Sequence, residues 1–176
     1  MPLSPTEQAV YKTLRTQILV AEVQFQAGGY IDQLGNGIGA YGLFPEMSGM
    51  YPVGDRKETL NYLPDFKATE PVVGGYHYKI FLPASISTAL TSVVDGKRPL
   101  LDANKDADAI ALQSHYWICY AWPVDGKERV FTINQSGNIF YRAPAAQPPV
   151  WNDLMGGGDW KADVSAPTWV QVPIQH

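Results

Sequence analysis

Four oxygen-bearing side chains, Asp102, Asn104, Asp106 and Asp108, alternate along the run DANKDAD. Oxygens at every second position let one loop wrap a hard cation, and calcium is the ion such a set suits. The run has neither the glycine at the sixth position nor the glutamate at the twelfth that an EF-hand loop requires, and Gln113 stands at the latter. The same residues also describe a solvated acidic loop, the plainer of the two readings. His77 and His115 each precede a tyrosine in a β-rich run, and their imidazoles would share a face if those runs pair. Zinc needs further ligands that no nearby spacing supplies, so partly buried strand histidines are expected; His176 is terminal. Cys119 is the sole cysteine, which excludes an internal disulfide and multi-cysteine zinc sites. Its setting, YWICYAW, reads as a buried strand holding an inert thiol.

Other familiar chemistry is absent from the pattern. GNGIGAYG follows a helical pattern rather than a strand, and MGGGDW lacks the lysine of a phosphate-binding loop. No G-x-S-x-G or H-E-x-x-H occurs, and no spacing pairs two carboxylates in a cleft. No catalytic or cofactor-binding residue is assigned, and a non-enzyme is expected. A net charge of −4 with pI about 5.3 is not the basic footprint of a nucleic-acid binder. No run of about 18 apolar residues is present to cross a bilayer, and MPLSPTEQ lacks the regions of a signal peptide.

The elements that must position these residues begin with one long helix over 5–27. Ser4, Pro5 and Glu7 form a capping box with proline at the first helical position. Val10, Leu14, Ile18, Ala21 and Phe25 make one apolar stripe, widened by Leu19 and Val23. Gln8, Lys12, Arg15, Glu22 and Gln26 take the wetter side, and Gly28-Gly29 ends the run. At about 1.5 Å per residue the rod is roughly 35 Å long. A variable loop spans 30–73; within it LFPEMSG suggests one or two helical turns and ETLNYLPDF a short strand. Strands are expected over 76–82, 115–122, 129–134 and 138–142, with DANKDADAIAL as an acidic loop between the first two. VFTINQSGNIFYR is a β-hairpin around an Asn/Gly turn that offers only amides and a hydroxyl. Turns rather than crossover helices join the strands, so the sheet over 74–142 should be an antiparallel meander. The last part, 143–176, is rich in Pro and Gly and reads as an irregular tail. Its three tryptophans should pin it to the body, and TWVQVPI is a candidate edge strand. The 176 residues, 45% of them hydrophobic, fit one α+β domain with a real core.

That order, a long N-terminal helix, a variable loop and a small antiparallel sheet, resembles the pilin-like architecture of type IV pilins and type II secretion pseudopilins. AEVQFQAGGYIDQLGNGIGAYGLFPEMSG is similar to the segment after the helix in pseudopilin-like proteins of planctomycete-type bacteria, and GGYHYKIFLP, YWICYAWP and FTINQSGNIF are similar to the strands that follow. The likeness covers roughly residues 5–142. It implies a non-catalytic structural subunit of a pilus- or secretion-like filament, with other pilin-like subunits and secretion components as partners. It also implies a place in the cell envelope or periplasm, held at the inner membrane by an N-terminal anchor that this chain does not carry. In such proteins calcium can hold a loop near the sheet; the Asp32 loop, with Leu34 where a second oxygen would stand, suits it poorly. The helix start, where the anchor would join, should point away from the sheet. The competing expectation is a soluble module that binds glycan or peptide through the aromatic tail and glycine loops.

Overall fold

The structure, a computed structural model, describes residues 2–145, 147–161 and 166–174. The N-terminal helix forms as its sequence dictates. Ser4 Oγ accepts the Glu7 N–H at 3.2 Å while Glu7 Oε2 accepts the Ser4 N–H at 2.9 Å, which satisfies two orphan donors at once. The helix runs as α1 (Pro5–Thr13), a π-helical stretch (Leu14–Ile18) and α2 (Leu19–Gly28), and ends on left-handed Gly29. The π stretch has a reason in the stripe. Val10 and Phe25 are 15 residues apart, and over that length an α-helix drifts about 60° beyond four turns. Local under-winding takes up that drift, so Val10, Leu14, Ile18, Ala21 and Phe25 are all buried. The Leu19 N–H reaches back to the Leu14 carbonyl, and Thr16 Oγ1 donates to the Lys12 carbonyl at 2.8 Å.

Two helical assignments need correction. Val23 is 53% exposed rather than part of the stripe, and Glu22 is fully buried rather than on the wet side. The start of the helix is also not free of the sheet. Ser4 Oγ donates to Glu128, Arg129 donates its backbone N–H to Glu7, and Leu3 is buried.

Among the described residues seven strands form one antiparallel sheet: β1 (Val72–Val73), β2 (Tyr76–Pro83), β3 (Ala89–Leu90), β4 (Ile118–Pro123), β5 (Val130–Asn134), β6 (Ile139–Arg142) and β7 (Val170–Gln171). Their order is β1-β2-β4-β5-β6-β7, with β3 on the end of β2. Register follows the pleat: Ile80 faces Cys119, and Cys119 faces Ile133. Tyr76, Tyr78, Ile80, Leu82, Cys119, Ala121, Phe131 and Ile133 lie in one core with the helix stripe and the 43–66 loop residues. The alternate residues Phe81, Ile118, Tyr120, Trp122 and Val130 form a second core with Leu154, Met155, Trp160 and Trp169 of the tail. Both faces of the sheet are therefore covered, and the central strands are apolar at nearly every position.

The expected strand over 115–122 starts later, at Ile118. Residues 107–112, expected as loop, form the short helix α4 (Ala107–Leu112), and the His115 and Tyr116 N–H groups bond back to the Leu112 carbonyl. LFPEMSG contains the one-turn helix α3 (Phe44–Met47), whereas ETLNYLPDF contributes only the isolated pair Pro52–Thr59. The edge strand in TWVQVPI is β7. Among the described residues no helix is long and apolar enough to cross a membrane.

Candidate functional site

The DANKDAD side chains spend much of their bonding on their own turn. Asp102 Oδ1 accepts the Asn104 N–H at 2.9 Å, and Asp106 Oδ2 accepts the Asp102 N–H at 3.1 Å. Lys105 Nζ lies 3.7 Å from Asp102, and Asp108 sits in the first turn of α4. The alternation is thus that of an Asx-type turn leading into a helix. Among the described residues no group of three or more His, Cys, Asp or Glu side chains is placed to hold a metal ion.

The two histidines do not share a strand face. His77 lies in β2, stacks on Trp122 at 5.2 Å between ring centroids, and has Nδ1 3.4 Å from Glu70. His115 is exposed in the turn after α4. His176 lies outside the described residues. Cys119 is fully buried, and burial pushes its thiol well above the usual range, with Glu22 adding to the rise. That makes it a poor nucleophile. The hairpin turn consumes its polar groups locally: Asn134 Oδ1 accepts from the Ser136 N–H and hydroxyl, and Ser136 Oγ accepts the Asn138 N–H. Gln135 Oε1 accepts the Trp117 N–H, which ties the turn to the start of β4. Trp151 and Trp160 stack on each other at 4.8 Å, and Trp160 and Trp169 are buried, so packing rather than an open sugar platform uses them.

An open groove of about 570 Å³ runs between α4, the Ser85–Ile86 turn and Lys161. Lys105, Asp106, Asp108 and His115 line it beside Ile86, Leu112 and Tyr116. Its charges are mixed in sign.

The most concentrated polar chemistry is buried, and sequence reasoning missed it. Arg98 projects from the segment before the acidic loop into the space between α2, α3 and α4. Its Nε and Nη2 donate to the two Glu46 oxygens at 3.2 and 2.6 Å, Nη1 donates to Gln113 Oε1 at 3.3 Å, and Nη2 also reaches the Tyr41 carbonyl. Gln113 Nε2 in turn donates to the Pro83 carbonyl at 2.8 Å. Glu46 Oε1 accepts the Leu43 N–H at 2.7 Å and so holds the first turn of α3. Glu22, from α2, accepts the Gly42 N–H on Oε2 at 2.7 Å, while its Oε1 has no partner. Burial pushes the Glu22 carboxyl well above the usual carboxylate range; the Gly42 N–H and Arg98 pull against this, and Glu46 adds to it. Tyr41 is raised by burial and by Glu22. The one available signal was a Glu at a helical position next to the stripe, only one residue from Ala21. Chemically the cluster is a closed structural brace, since Arg98, Glu46 and Gln113 are all buried. No protein-family model, curated protein or solved structure matches the chain.

Proposed function

We propose that this chain is a non-catalytic structural subunit of a pilus- or type II secretion-like envelope filament, with a pilin-like fold. The observation that carries the reading is the docking of a capped helix, Pro5 to Gly28, by one apolar stripe onto an antiparallel meander. The words of sequence after the helix and in the strands support it. So does the way side chains with chemical potential are used: the buried carboxylates brace a loop, the cysteine is sealed, and the hairpin amides bond to their own turn. In this reading the partners are other pilin-like subunits and secretion components, and an apolar anchor upstream of the helix holds the full-length protein at the inner membrane. Calcium at Asp102, Asn104, Asp106 and Asp108 belongs to the same proposal, as an ion that would stiffen the loop before α4.

The test is to raise an antibody to the domain, fractionate source cells, and image sheared surface filaments with immunogold. Membrane-held protein and labelled filaments are the expected result. Protein found only in the soluble fraction, with unlabelled filaments, overturns the reading and leaves the soluble binding module.

A further inference from the structure

We propose that Glu22 and the loop from Tyr41 to Met47 form a proton-controlled latch: neutral Glu22 keeps the loop docked on α2, and loss of its proton lets the loop open. The latch is independent of the filament reading.

The geometry leaves no room for a second negative charge. Glu22 is fully buried, with one oxygen on the Gly42 N–H and the other without a partner. The charged and titratable groups facing it are Arg98, Glu46 of α3, Tyr41 of the loop and Cys119 of β4. Arg98 is the cation among them, and its guanidinium is already balanced by Glu46 at 2.6 Å. A neutral Glu22 therefore leaves the space with no net charge, whereas an ionised one leaves a buried carboxylate without a counter-charge. Such a charge is expensive to keep out of water.

Movement of the loop that covers it relieves the charge. The seat is tight: a Cβ on Gly42 would lie 2.9 Å from Met47 Sδ and 3.0 Å from Phe25 Cγ. Lifting the loop breaks the Glu22–Gly42 bond and, because Glu46 and the Tyr41 carbonyl ride on it, their bonds to Arg98 as well; it admits water to all three charges and uncovers Phe25, Leu43 and Met47. The sheet need not unfold, because its own ladder does not pass through this segment.

Linkage makes the idea quantitative. When the closed loop binds one proton that the open loop releases, the opening constant rises about tenfold per pH unit between the two pKa values. Native-state hydrogen exchange over pH 5–8, corrected for intrinsic exchange, reads that constant for the Gly42 and Leu43 amides. Cys119 and Ile133, paired between β4 and β5, report global unfolding through their amides. The expected result is loop exchange faster than strand exchange at every pH, with an opening constant that rises with pH, by up to about tenfold per unit. Glu22→Gln, which retains an acceptor for Gly42, should abolish the slope. A flat profile in the unmodified protein overturns the proposal. So does loop exchange no faster than that of Cys119 and Ile133, or a slope that survives in Glu22→Gln. If the variant does not fold, the slope and the loop-to-strand comparison in the unmodified protein still decide.

Discussion

Arg98 and Glu22 are where single side chains matter most. Arg98 and Glu46 are nearly inaccessible, with side chains 1% and 5% exposed. Removing one partner of such a pair strands the other charge in a dry space and costs about 3–5 kcal/mol. Arg98→Ala should lose about that much in urea unfolding, far more than Lys105→Ala, whose exposed pair with Asp102 is worth about 0–1 kcal/mol. Glu22 works in the opposite direction. The folded chain holds its proton while the unfolded chain releases it, so stability falls as pH rises from the ordinary carboxylate range toward the raised folded value, then levels off. Glu22→Gln should therefore be more stable than the unmodified protein at pH 7, with the gap closing toward pH 4. Urea midpoints at several pH values measure this, and parallel curves for the two proteins would contradict the assignment. For the acidic loop, thermal melting with millimolar calcium and with chelator is the measurement. A bound ion raises stability by about 2.7 kcal/mol at a hundredfold excess over its dissociation constant; coincident melts retire the calcium proposal.

The N-terminal helix is the element whose substitutions should sort most cleanly. Ile18 is fully buried at the end of the π stretch, and Ile18→Ala should cost about 2–5 kcal/mol. Val23, 53% exposed near the end of α2, should tolerate Ala within about 0.5 kcal/mol. Ser4→Ala removes the reciprocal cap and should cost about 0.5–2 kcal/mol. The sequence pattern was legible here because a capping box and a spaced stripe are local signals. Val23 and Glu22 were misassigned because both sit at the stripe's margins, where only the neighbouring element decides burial. Gly39 and Gly42 belong to the run GNGIGAYG, inside the expected variable loop. A Cβ at Gly39 would lie 2.5 Å from the Gln26 carbonyl oxygen, so close backbone approach is what glycine provides there.

For the whole molecule, the tail is a second cover for the sheet. Tyr120 anchors it twice, donating to the Trp151 carbonyl at 3.1 Å and accepting the Leu154 N–H at 3.0 Å. Ending the chain at Ala145 would expose Phe81, Ile118, Tyr120 and Trp122. Such a patch favours association, and the shortened chain should bind a hydrophobic dye and aggregate where the full domain does neither. The full domain should be monomeric or weakly associated. Its outer strands β1 and β7 are two residues each, with Pro71 before one and Pro173 after the other, and short proline-flanked edges template pairing poorly. Light scattering at high concentration checks this. A tight dimer of standard interface size, roughly 1,600 Å², would count against the filament reading.

Local signals settled the helix, its cap, its stripe, the β5–β6 hairpin and the antiparallel joining of strands, because each depends on residues within a few positions of one another. The short helix α4 escaped notice, since six residues behind an acidic turn carry too little periodicity to separate helix from loop. The Glu22–Arg98–Glu46–Gln113 brace was out of reach altogether. Glu46 and Gln113 lie 52 and 15 positions from the Arg98 they bond, Glu22 lies 20 from the Gly42 it holds, and a charged residue is read as exposed until a partner arrives from elsewhere in the chain. The same holds for the tail: composition indicated that its tryptophans must be buried, but only the pleat of β4, with Tyr120 and Trp122 turned away from the helix, determined which face they would cover.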